Sequence, residues 1–145
     1  MEMEKNMQAN VGAAAKAGLF TRAVASANIS LAIQFLLGMY INLYVNFPTG
    51  GPAADWSFAW HTWPVAAHII LGTLILLFSI NTLVQAIRLK NRHWIKFASI
   101  GVAAMLLSVL GGERFITTQN DLGSYFMSFG FLVGILVLNW GLHTQ

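Results

Sequence analysis

Apolar residues fall in four long stretches separated by short polar breaks. The first runs from about Ala23 to Phe47 and stops at Pro48, where PTGGPAAD supplies two prolines and two glycines and predicts a loop. A second begins near Pro64, a residue suited to the first turn of a helix, and continues to Ile87. Arg88, Lys90, Arg92 and Lys96 mark a polar turn before the third stretch, Ile95 to Gly112. After the polar run TTQND, the fourth extends from Leu122 to Leu142. Each approaches or exceeds the roughly 20 helical residues that cross about 30 Å of hydrocarbon. The pattern predicts an all-α integral membrane protein, an antiparallel four-helix bundle, with residues 1–22 forming an N-terminal tail or interfacial helix and residues 23–145 the spanning domain.

Composition strengthens this reading. The chain has 145 residues, of which 57% are hydrophobic and 9% charged, against roughly a quarter charged in soluble domains. The absence of cysteine excludes disulfides, thiolate metal sites and iron–sulfur clusters. Residues 1–22 carry mixed charge and no compact apolar core, unlike a cleavable signal peptide.

Charge placement adds an orientation. Lys5, Lys16, Arg22, Arg88, Lys90, Arg92 and Lys96 fall on one side of the four spans, and only Arg114 on the other. The positive-inside rule therefore expects a multi-pass protein of the cell membrane with both termini cytoplasmic. The net charge of +3 is a topology signal in this setting. The basic residues form no face with interleaved aromatics, so nucleic acid is not an expected partner.

Each predicted span carries a stripe of small or polar residues. Span one has Ser26, Ser30, Gln34, Gly38, Asn42 and Asn46 at every fourth position. Span two has His61, Val65, His68, Gly72, Ile75, Ser79, Thr82 and Ala86 at alternating spacings of three and four. Gly101, Ala104, Ser108 and Gly111 mark span three; Gly123, Met127, Gly130, Gly134 and Gly141 mark span four. Close helix packing explains such stripes, because small residues and interhelical hydrogen bonds hold helices together in lipid. They equally leave room for a flat cofactor, and Gly130 with Gly134 forms a small-xxx-small pair of the kind that joins homo-oligomers.

His68 is the one histidine expected inside a span, and an imidazole at that depth is a ready haem or metal ligand. Its bland alternative is a neutral ring hydrogen-bonded to Asn42 or Asn46. Haem b at His68 requires a second axial ligand, for which His61, Met39 and Met127 are the candidates. A metal set of His61, His68 and Glu113 has the two-histidine, one-carboxylate composition if spans two and three are neighbours. His93 and His143 read as residues of the cytoplasmic interface. No acidic residue lies within a span, which argues against proton-coupled export through an intramembrane carboxylate.

At NLYVNFP, residues 42–48, and HTWPVAAHIILG, residues 61–72, the chain resembles small uncharacterised four-span prokaryotic membrane proteins. The histidine-bearing helix is loosely similar to helices of b-type membrane cytochromes, which typically pair histidines on facing helices. That likeness implies a cytochrome-b-like or accessory redox subunit, partnered by the lipid bilayer and a larger membrane redox complex. The rival expectation is a cofactor-free structural or assembly subunit. A channel formed by oligomers is a third, and needs a water path along the span-one stripe.

Overall fold

The computed structural model describes residues 1–48 and 50–144, apart from the side chains of Ala9, Ala13, Lys16, Ala17 and Phe20. Its elements are α1 (Glu2–Tyr44), α2 (Pro52–His61), α3 (Trp63–Arg88), α4 (Arg92–Thr118) and α5 (Asp121–His143). Four segments, Thr21–Tyr44, α3, α4 and α5, are long and apolar enough to cross a membrane.

Residues 2–22 continue the first span as one helix of 43 residues, about 64 Å long. The alanine-rich stretch contains no proline, so nothing breaks the ladder between tail and span. The side chain of Lys16, in the segment expected as a tail or interfacial helix, lies outside the described residues.

The segment expected as a plain loop after Pro48 contains α2. Gly51, at φ 88°, turns the chain and Pro52 opens the helix. Asp55 and Ala59 are buried, and Ala59 joins Ile41, Val65 and Ile116 in a small apolar cluster at this end of the bundle. Phe47 packs edge-on against both Phe58 and Phe115, each with ring centroids 5.4 Å away. Gln119, in the left-handed conformation that ends α4, donates its amide to the Pro48 carbonyl and to Asp55 Oδ1.

At the opposite end, Lys90 at φ 50° closes the α3–α4 turn. The Asn91 amide returns to the Ala86 carbonyl at 3.0 Å and the Lys90 amide to Ile87 at 2.9 Å, a Schellman closure. Asn91 then caps α4 by accepting from the Trp94 amide.

The third and fourth spans make the closest pair. Gly111 and Gly112 do not end α4 as expected; Gly111 is buried against α5 and the helix continues through Glu113 to Thr118. A Cβ on Gly111 would stand 2.7 Å from the Gly123 carbonyl oxygen, and one on Gly123 would stand 2.6 Å from the Gly111 carbonyl oxygen. Further along, Gly130 meets Ser108 and Ala104, Gly134 meets Met105, and Gly141 meets Trp94 and Phe97. Residue numbers rise along α5 as they fall along α4. Gly130 and Gly134, whose spacing also suits a homo-oligomer contact, lie against α4 within the chain.

Candidate polar junction between α1 and α3

The inward faces follow the heptad spacing more closely than the four-residue one. On α1 the buried residues are Val24, Ala27, Leu31 and Ile41, with Gln34 and Gly38 half-buried between them. Of the drifting span-one stripe expected to face protein, Ser30, Gln34 and Gly38 are half-buried and Ser26, Asn42 and Asn46 are exposed. Four residues turn a helix by about 400°, so a stripe at strict four-residue spacing rotates about 40° per step and leaves the interface at both ends. The expected span-two seam holds from Val65 onward, where Val65, Ile75, Thr82 and Ala86 are buried and His68, Gly72 and Ser79 half-buried, while its first member, His61, falls in α2 and is exposed.

These seams meet in a reciprocal fit. The His68 ring lies over Gly38, its Cε1 3.0 Å from the place a Cβ would take. The Gln34 amide lies over Gly72, its Nε2 3.0 Å from the corresponding place there. Gln34 and Gly38 are one turn apart on α1, as His68 and Gly72 are on α3. Each helix thus supplies one polar side chain and one hollow, in opposite order. Gln34 Nε2 donates to the His68 carbonyl oxygen at 3.0 Å, which fixes the amide's orientation. Gln34 Oε1 and His68 Nδ1 are both buried without a hydrogen-bond partner. Asn42 and Asn46, expected as partners of His68, make no such contact and are exposed.

The remaining candidate ligands are dispersed. His61 is exposed at the end of α2, and its Nδ1 donates to the Ser57 carbonyl at 2.7 Å. Met39 is exposed on α1. Met127 packs in the α4–α5 contact, its Sδ 3.2 Å from the Cβ position of Gly112. Glu113 is exposed near the end of α4. Among the described residues no three His, Asp or Glu side chains come together to hold a metal ion, so His61, His68 and Glu113 are not assembled into one site. At the other end, His93 is half-buried, donating Nε2–H to the Gly141 carbonyl at 2.8 Å and stacking obliquely on Phe97.

Where α1, α3, α4 and α5 meet, Ala27, Ser79, Thr82, Ala98, Gly101 and Leu138 surround a void of about 10 Å³. That admits roughly one water, whereas pockets for sizeable ligands measure about 300–1,000 Å³. Close by, Asn28 and Asn139 exchange amide hydrogen bonds of 3.1 and 3.2 Å between α1 and α5, and Asn139 also donates to its own helix at Ile135. The sequence reading passed over this pair. Asn139 is the single amide within the fourth span, which was the available signal.

No family model, curated protein or solved structure matches the chain.

Proposed function

We propose that this chain is a multi-pass protein of the cell membrane, an antiparallel four-helix bundle with both termini and the α3–α4 turn on the cytoplasmic side, acting as a cofactor-free structural or assembly subunit of a larger membrane complex. The orientation rests on Arg22, Arg88, Lys90, Arg92 and Lys96 gathering at one end, with Arg114 at the other. The observation that carries the structural role is the reciprocal fit: the hollows at Gly38 and Gly72 are filled by His68 and Gln34 from the facing helix. Glycines that look like room for a ring plane act here as sockets for the neighbouring span.

A second reading keeps one supporting observation. His68 Nδ1 and Gln34 Oε1 are buried and unpartnered, and orphaned polar atoms at one crossing favour a ligand there. In that reading α1 and α3 part around haem b, with His68 the first ligand and His61, Met39 or Met127 the second, in an accessory redox subunit.

Visible spectra and metal analysis of protein purified from haem-replete cells separate the two. The structural reading expects no Soret band and no stoichiometric metal. A Soret band lost in His68→Ala and retained in His93→Ala would establish the redox reading instead.

A further inference from the structure

The bundle uses one face of α3 and leaves the opposite face bare. Ile70, Leu74, Leu77, Asn81, Val84 and Arg88 are all exposed. They sit two positions beyond the inward seam, and two residues turn a helix by about 200°, so this row looks away from α1 and α4. Its spacing alternates four and three, and it is apolar except for one asparagine and the terminal arginine, the layout of a helix-pairing seam with a single polar position.

Asn81 makes no hydrogen bond to any described residue of its own chain. It lies seven residues, about 10 Å, from Arg88 and eighteen residues, about 27 Å, from Trp63. On the membrane-spanning reading this depth is hydrocarbon, where an amide left without a partner is costly. Among the other deep amides of the spans, Asn28 and Asn139 bond each other, and Gln34 donates to the His68 carbonyl while its Oε1 is left buried inside the bundle, so Asn81 is the one with neither end engaged among the described residues. Gln85 lies a turn nearer the headgroups, and Asn42 two residues from the end of α1, where water and lipid headgroups are within reach.

We infer that this outer seam of α3 is a homodimer interface, in which Asn81 pairs amide to amide with the Asn81 of a second copy. An asparagine amide carries both donor and acceptor, so it complements itself. A two-fold axis along the membrane normal sets the two α3 helices side by side with every residue opposite its own counterpart, at matched depth. A different partner would have to place a polar group of its own at that depth, whereas a second copy supplies one without further condition. The chain already joins two spans in this way at Asn28 and Asn139, with both hydrogen bonds formed. Arg88, at the end of the seam, falls at headgroup level, where two guanidinium groups stay solvated and apart. The inference rests on the four-span reading and names the first partner of the proposed assembly subunit.

Because the chain has no cysteine, single-cysteine variants report proximity directly. Leu74→Cys, Leu77→Cys and Val84→Cys, oxidised in native membranes, should give a disulfide-linked species of twice the chain's mass, while Leu106→Cys on α4 and Leu132→Cys on α5 should not. Asn81→Leu should lower the dimer fraction, measured by energy transfer in lipid vesicles, with an association constant reduced about tenfold, and Asn81→Gln should retain most of it. Equal cross-linking at the control positions, links only to a chain of different mass, or association unchanged in Asn81→Leu would overturn the interface. Alkaline washing of the same membranes tests the spanning reading separately. Retention of the chain without α3 cross-links rejects the dimer alone, and its release rejects both.

Discussion

The His68 ring on α3 occupies the hollow left by Gly38 on α1, with 3.0 Å between His68 Cε1 and the point where a Cβ on Gly38 would begin. That contact ties two residues thirty positions apart in sequence, and its energetic signature is coupling. Gly38→Ala must displace the imidazole, whereas in a His68→Ala background the three atoms nearest the added methyl are gone and the substitution can gain the helix propensity of alanine, up to about 1 kcal/mol. Gly18→Ala, where nothing stands within 4 Å, should behave like the second case in the native chain. A double-mutant cycle on Gly38 and His68, read from thermal unfolding in detergent, is expected to yield an interaction of about 0.5–3 kcal/mol. Strict additivity would mean that the ring does not rest on the glycine.

Two glycines of α5 should respond differently to the same methyl. At Gly130 the added carbon meets the Ala104 carbonyl oxygen and Ser108, where backbone cannot yield without moving α4. At Gly134 it meets only the terminal methyl of Met105, which can rotate away. Gly130→Ala is expected to cost about 1–3 kcal/mol and Gly134→Ala much less. Melting curves that place the two variants together would refute the backbone contact.

The Asn28–Asn139 pair predicts a non-additive loss. Replacing either residue by leucine strands the other amide between apolar helices, a cost of about 1–3 kcal/mol. Replacing both removes the stranded group, so the double variant should be more stable than the worse single one. An additive double variant, by the same unfolding assay, would show that the two amides act independently.

Topology is testable with the same cysteine-free background. Asp55 is 2% exposed, which makes it unsuitable for labelling despite its place in the connection between spans. Ala53→Cys and Gln119→Cys are exposed at the α2 end and should react with an impermeant maleimide added outside intact cells. Lys90→Cys, in the α3–α4 turn, should react only after permeabilisation. The reverse pattern would invert the proposed orientation.

Number and approximate extent of the long apolar helices were legible in the sequence, because a helix able to cross a lipid core needs about 20 apolar residues regardless of what packs beside it. The α3 seam was legible for a related reason: alternating three- and four-residue steps stay on one face of a helix. Span one misled because its every-fourth stripe drifts, and Gly111 with Gly112 misled because a glycine pair reads equally as a helix end or as a close contact. Helix α2 was hidden by the prolines and glycines that lead into it, which signal a turn whether or not a helix follows. What only the tertiary structure decided was partnership. It set Gln34 rather than Asn42 or Asn46 beside His68, joined Asn28 to Asn139, and kept His61, His68 and Glu113 from forming one group. Those outcomes depend on which helices are neighbours and at what height they cross, quantities that arise from contacts between distant residues. Local periodicity contains the faces of each helix but not the pairing of those faces.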